Sequence, residues 1–266
     1  MSDSLPPSDL VRFAAVVEYD GTNYCGWQVQ ANEVTIQQRL EEALRSVYSL
    51  DVRVTGAGRT DSGVHAVGQV CHFDVPPHIP SQSIRDALNH HLPPDISVFC
   101  VTSVPDSFHA RFSAHMKQYS YRILTSPVRS VFDRSRAWQL YRSLDPSRVA
   151  DAAKLFEGEH DFTAFTTEPE TRESCIRKIS SIDVLHQSPY FLLAFRAQGF
   201  LYNLVRAITG ALVFAGKGKV ELDVLRTMLS GGRREPPIPL APAHGLRLDW
   251  IEYAGYPALR RRLRDD

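Results

Sequence analysis

The sequence predicts an α+β fold of two ferredoxin-like (RRM-like) βαββαβ units, with mainly antiparallel sheets backed by helices; the first takes residues 1–110 and the second 111–266. Short β-branched or alternating apolar runs are interleaved with stretches whose apolar residues recur at helical spacing. In the first half their order is strand, helix, strand, strand, helix, strand. The second half repeats that order, and 266 residues with 43% hydrophobic content suffice for one large core or two modest ones.

The first strand is read at residues 11–19 (VRFAAVVEY), ended by the turn Asp20-Gly21-Thr22-Asn23. Thr35 opens a helix: its hydroxyl caps the first turn, Gln38 reaches back, and Ile36, Leu40, Ala43, Leu44 and Val47 mark the apolar face. Strands follow at 51–57 and 67–75. A second helix starts at Ser81, runs through Ile84, Ala87 and Leu88 and stops before Pro93 and Pro94, and a strand fits 96–104. In the second half, 117–125 and 138–142 read as extended, and Asp145 followed by Pro146 starts a helix that Gly158 stops. Strands at 176–186 and 190–198, helices at 200–215 and 221–230, and a strand at 245–253 with Leu246, Leu248 and Trp250 alternating complete the pattern. The tail, with Arg260, Arg261, Arg262 and Arg264, reads as frayed and basic.

Composition narrows the function. The start, MSDSLPPSDL, has acids and prolines where an export signal has a basic region and an apolar run. The most apolar stretch, Phe200 to Gly216, is interrupted by Asn203 and Arg206 and is too short to span a bilayer. A cytoplasmic protein with no membrane partner is expected. Cys25, Cys71, Cys100 and Cys175 form no Cys-x-x-Cys pair, so buried, reduced thiols are expected rather than a zinc knuckle or a dithiol site. His65, His72, His109 and His115 match no common ligand spacing, and no metal is expected. The formal net charge of zero conceals a division: residues 1–110 hold 6 Lys+Arg against 13 Asp+Glu, and residues 111–266 hold 24 against 17. Residues 111–148 alone hold 8 basic against 2 acidic groups. A local basic face binds phosphates whatever the total charge, but a solvated arginine-rich surface looks the same in sequence, so charge alone decides nothing.

The densest chemical signal is Gly56 to Ala66, GAGRTDSGVHA, between two predicted strands. Gly56, Gly58 and Gly63 around one carboxylate suggest a tightly folded loop that fixes Asp61 at a strand edge, against the plainer reading of a structural loop. A dinucleotide fingerprint fails because its sixth position is Asp61, and no Gly-Lys-Thr or Gly-Lys-Ser forms a phosphate loop.

This loop resembles the tRNA pseudouridine synthase A family, whose hallmark Gly-Arg-Thr-Asp-x-Gly-Val-His-Ala is matched by Gly58 to Ala66. The resemblance extends to Asp20-Gly21-Thr22, to Tyr24-x-Gly26-Trp27-Gln28-x-Gln30, to Phe108 through Ala114 (FHARFSA), to Tyr119-x-Tyr121 and to Phe200-x-Tyr202-x-x-Val205-Arg206. It implies an active-site cleft between the two units, no cofactor, and isomerisation of uridine to pseudouridine at positions 38, 39 and 40 in the anticodon stem-loop of tRNA by a homodimer. Asp61 would be the catalytic carboxylate, provisionally the nucleophile; addition to the uracil, addition to the sugar and removal of a sugar proton all remain open. Arg206, on a predicted helix among apolar neighbours, would pair with Asp61, the alternative being an arginine that snorkels to the surface. Tyr119 would lie against the target uracil, while Tyr121 is read as core. Arg59 would enter the RNA, or make a phosphate contact, and Leu246 would line the uracil pocket unless it is ordinary core. His65 is read as structural. Gln118 and Ser120 stand where the family often carries basic residues, and Leu204 where it often has methionine or glutamine. The competing reading is a noncatalytic double RRM-like tRNA-binding protein; against it, the aromatic RNP1 pattern does not occur, and a pure binder has no need of Asp61 in a glycine-rich loop.

Overall fold

The structure is a computed structural model, and it describes residues 10–167, 174–231 and 235–261. Two compact units emerge: the chain through His115 together with Leu248 onward, and Met116–Arg247. This grouping differs from a single division after residue 110 in counting most of the last strand with the first unit. That strand lies beside one formed far earlier in the chain.

The first unit contains β1 (Val11–Tyr19), α1 (Ile36–Tyr48), β2 (Thr55–Gly56), β3 (His65–Val75), α2 (Ser81–His91) and β4 (Ile96–Ser103), in the expected order. β1 runs antiparallel between β3 and β4, with Ala15 opposite Cys71 on one side and Val101 on the other. Helix α1 buries Ile36, Leu40, Ala43 and Leu44, and each larger side chain contributes roughly 1.5–3 kcal/mol. Tyr48, not Val47, completes that buried face. The Thr35 cap forms as expected, accepting from the Gln38 N–H, but the Gln38 side chain turns away and donates to Glu42. The strand expected at 51–57 shrinks to Thr55–Gly56, although Val52 and Val54 are buried. Side chains of α1 take the place of a ladder: Gln37 donates to the Val54 carbonyl at 2.9 Å, and Glu41 accepts from the Val54 amide at 3.0 Å.

The second unit contains β5 (Met116–Thr125), β6 (Trp138–Leu140), α3 (Pro146–Leu155), β7 (Gly158–Asp161), β8 (Ile176–Gln187), β9 (Tyr190–Ala197), α4 (Leu204–Gly216) and α5 (Leu222–Leu229). Its strands run β5-β9-β8-β7, all antiparallel, with β6 parallel to β5. As β1 pairs with β3 in the first unit, β5 pairs with β9 here. Asp145 caps α3 through the amides of Ser147 and Arg148, with Pro146 in the first turn. Gly158 does more than stop a helix: at φ +96° it opens β7, a strand the sequence pattern did not show. Helix α4 starts at Leu204, four residues later than expected, because Asn203 takes a left-handed conformation at φ 60°. Its apolar length is buried as a core helix, and no helix among the described residues is long and apolar enough to cross a membrane.

The final strand, β10 (Leu246–Glu252), carries the expected alternation into a nearly continuous buried run. The tail after it is pinned where it is described, correcting the expectation of fraying. Arg260 lies 4.1 Å over the Trp250 ring and Arg261 4.8 Å over Phe99, and Arg261 also pairs with Glu18. Arg262 and Arg264 fall outside the described residues. Of the four free cysteines, Cys71 and Cys175 are buried as expected, whereas Cys25 and Cys100 are partly exposed.

Candidate active site

Asp61 sits half-buried in the loop between β2 and β3, and hydrogen bonds fix the loop's backbone from several sides. The Ala57 amide donates to the Val70 carbonyl (2.7 Å), and the Gln69 side chain donates to the Gly58 carbonyl (2.9 Å). Thr60 Oγ1 and the Tyr19 hydroxyl are 2.8 Å apart in a buried hydrogen bond, and the Thr60 carbonyl accepts from the Trp27 amide. Burial drives the Tyr19 pKa upward, so its hydroxyl stays a neutral partner. The Tyr24 carbonyl accepts from Gly63 N (3.3 Å) and Ser62 Oγ (3.2 Å), and Val64 N closes onto the Asp61 carbonyl (3.1 Å).

Two glycines outside the loop make this approach possible. Gly26 has φ +85°, and a Cβ there would stand 2.5 Å from the Thr60 carbonyl oxygen. A Cβ on Gly21 would stand 2.0 Å from the Val64 carbonyl oxygen. The segments Asp20–Thr22 and Tyr24–Gln30 are therefore the bed on which the Asp61 loop rests. That bed is clamped by Asp95, whose Oδ1 accepts from the Tyr24 hydroxyl (2.5 Å) and whose carbonyl accepts from the Asp20 amide (2.9 Å). Burial first, and then the Asp95 carboxylate, push the Tyr24 pKa up. His65 is structural as read: its Nδ1 accepts from Gly21 N at 3.1 Å, with Asp20 Oδ1 3.2 Å away. Arg59 is exposed, and its Nε donates to Gln28, which in turn donates to Gln37.

In the second unit, Tyr119 is buried on β5 opposite Phe195, with the Phe200 ring edge-on at 5.2 Å. Tyr121, two residues on and therefore on the same face, is fully buried and donates to the Pro242 carbonyl at 2.7 Å. Burial raises its pKa, and the core reading holds. Arg206, on α4, donates through Nε to the Ala241 carbonyl (2.8 Å) and through Nη1 to Asn203 Oδ1 (2.9 Å). Tyr121 and Arg206 thus hold the carbonyls of consecutive residues, and Gly245 lies against the Tyr121 ring. Leu246, buried at the start of β10, follows directly from this pinned segment. Arg59 and Asp61 belong to the first unit; Tyr119, Arg206 and Leu246 belong to the second.

In the first unit, the Asp61 carboxylate on its held loop is a group capable of acid, base or nucleophilic chemistry; in the second, Tyr119 is buried and the Arg206 guanidinium is anchored. Comparison with known proteins gives the family. A family model described as tRNA pseudouridine synthase matches residues 15–113 and 152–254. The chain belongs to that family. Its activity is the isomerisation of uridine to pseudouridine in tRNA, and it is an enzyme of the isomerase class. It is 40% identical over 243 residues to the tRNA pseudouridine synthase A of Rhodopseudomonas palustris (strain BisA53), covering 91% of this chain and 99% of that relative. With the tRNA pseudouridine synthase A of Geobacter sp. (strain M21) it shares 41% over 239 residues, covering 90% and 97%. Among solved structures, a crystal structure of the archaeal box H/ACA sRNP Nop10-Cbf5 complex matches with a TM-score of 0.37 at 12% identity, over 76% of this chain and 42% of that one.

The family motifs read in sequence as separate words are partly one structure. Glycines of the first two support the loop of the third, and the motif holding Arg206 anchors the segment leading to Leu246. Sequence reading missed Asp95, Gln69 and Asn203, which position these elements. Asn203 alone carried a signal, since asparagine tolerates the left-handed conformation it adopts.

Proposed function

We propose that this synthase modifies uridines 38, 39 and 40 in the anticodon stem-loop of tRNA, with Asp61 as its catalytic nucleophile. The observation that supports the role of Asp61 is the loop itself: residues on both sides of the carboxylate are hydrogen-bonded to a bed made by two other family motifs. A reacting group gains most from such a frame, because small misplacements are costly in rate. The reaction breaks the bond from ribose C1′ to uracil N1, turns the base, and joins C1′ to C5; the C5 proton is lost and N1 gains one. Electrons and atoms balance without a redox partner, so the proposal includes no cofactor and no metal. Tyr119 stacks on the displaced uracil, Leu246 lines its pocket, Arg206 orients the Asp61 carboxylate, and Arg59 reaches into the RNA. The enzyme works in the cytoplasm as a homodimer, and the basic segment 111–148 of one subunit holds the body of a tRNA whose anticodon arm enters the other.

Release of tritium from tRNA transcripts carrying C5-labelled uridine tests the chemistry. The unaltered protein is expected to release label without added cofactor, and Asp61→Ala to release none while still binding tRNA. Equal binding with no release from either protein would instead establish a tRNA-binding module. Charge reversal at Arg129, Arg134 and Arg136 tests the basic segment; unchanged tRNA affinity would end that part of the reading.

A further inference from the structure

The segment Ser126–Ala137, between β5 and β6, has an inverted construction. Its Ser130 and Asp133 side chains bond within the segment, while its larger apolar side chains and its arginines face outward. Gln139, on β6, accepts from Ser130 N (2.9 Å) and donates to the carbonyls of Ser126 (3.1 Å) and Val128 (2.6 Å). Asp133 accepts from Ser130 Oγ (2.8 Å) and from the Tyr190 hydroxyl (3.1 Å), and its carbonyl accepts from the amides of Arg136 and Ala137. The frame displays Val128, Val131 and Phe132 at 73%, 58% and 92% exposure. A loop ordered by its own polar groups to expose an aromatic ring marks a contact surface.

Charge names the occupant. Residues 122–142 hold five arginines and a single acidic residue, Asp133, which is already engaged inside the loop. Arg122, Arg129, Arg134 and Arg142 are exposed. Lys217 stands 6.0 Å from the Trp138 ring of β6, and burial followed by the charges of Lys219 and Arg142 depresses its pKa. A flat aromatic ring among cations matches a polyanion with exposed bases, since bases stack on the ring while arginines meet phosphates.

We infer that Phe132, flanked by Arg129 and Arg134, forms a stacking platform for an unpaired base of the tRNA, outside the nucleotide being isomerised. This rests on the chain's acting on tRNA. Tyr119 lies six residues before the end of β5. At about 3.3 Å per residue, the end of β5, from which the displayed loop departs, lies roughly 20 Å along the strand from Tyr119.

The experiment compares Phe132→Ala and Phe132→Trp with the unaltered protein, measuring tRNA affinity by fluorescence anisotropy, kcat and KM by tritium release, and oligomeric state by sedimentation. Phe132→Ala, exposed enough to leave folding intact, is expected to weaken tRNA binding roughly ten-fold and raise KM with kcat unchanged. Phe132→Trp is expected to retain both. Unchanged affinity in Phe132→Ala overturns the platform, and so does a loss of affinity that accompanies dissociation of a dimer, which would give this surface to a second copy of the chain. Phe132-dependent binding by a protein that releases no tritium would overturn the role of Asp61 and leave the platform standing.

Discussion

The loop around Asp61 and the segment Ser126–Ala137 are both ordered without being regular, but by opposite means. The first is held largely through its backbone, by close approaches that only glycine permits at Gly21 and Gly26. The second is held mainly by polar side chains, Gln139 and Asp133, which leave its apolar groups in solvent. A backbone lock transmits any substitution to the position of the Asp61 carboxylate, which the proposal makes the reacting group. A side-chain lock tolerates change at its displayed residues and fails only where the lock itself is cut. Catalytic effects should therefore concentrate in the first region and binding effects in the second.

The sharpest test of that division is Asp61→Asn, which keeps the side chain's shape and removes its charge. Tritium release is expected to fall by about 1,000-fold or more with tRNA affinity within a few-fold of normal. Gly26→Ala comes next. The left-handed backbone and the 2.5 Å clash with the Thr60 carbonyl oxygen should cost about 1–3 kcal/mol, read as a lowered denaturant midpoint, together with a fall in kcat of at least ten-fold. A Gly26→Ala protein with normal kcat would mean that the bed does not position Asp61.

The clamp beneath the bed separates positioning from folding. Tyr24→Phe removes the hydroxyl that meets Asp95 and is expected to lower kcat about five-fold with KM little changed, whereas Asp95→Asn keeps an acceptor and should stay near normal. Equal losses in both variants would assign the pair to folding alone. On the other side of the comparison, Gln139→Ala cuts three hydrogen bonds of the displayed loop and should weaken tRNA binding by about three- to ten-fold while sparing kcat.

What was legible in the sequence follows the range of the forces involved. Strands β1, β3 and β8, helices α1 and α3 and the cap at Thr35 are local, and periodicity and capping chemistry announced them. The glycine-rich loop with one acid was likewise visible, as was the core reading of Tyr121. The truncation of β2 was not, because Gln37 and Glu41 satisfy Val54 from a helix earlier in the chain. Nor was Asp95, which follows two prolines and acts on a tyrosine 71 residues away. The segment 126–137 was legible only as basic; its apolar display depends on Gln139 reaching back across 11 residues.

The smallest expected effect concerns acid, and it contrasts the two units through a histidine. His72 lies on β3, its ring against His109 at 4.8 Å, and its Nδ1 accepts from the Ala110 amide at 3.2 Å, which requires that nitrogen to be unprotonated. Burial, then the positive charge of Arg12, then His109 lower its pKa from 6.5 to about 4. Because the unfolded chain binds the proton more readily, stability is fully present above pH 6.5, declines as pH falls toward 4, and loses nothing further from this group below that. The Ser130 amide, held by the Gln139 side chain, has no such dependence. Hydrogen exchange at Ala110, corrected for intrinsic rates, should therefore lose protection between pH 6.5 and 4 relative to Ser130. His72→Asn, which offers a neutral acceptor in place of Nδ1, should flatten that decline; a decline that persists in the variant would move its source from His72 to the carboxylates of the same unit, with Asp74 the first to examine, since its hydrogen bond to Arg12 holds its pKa below the usual carboxylate range.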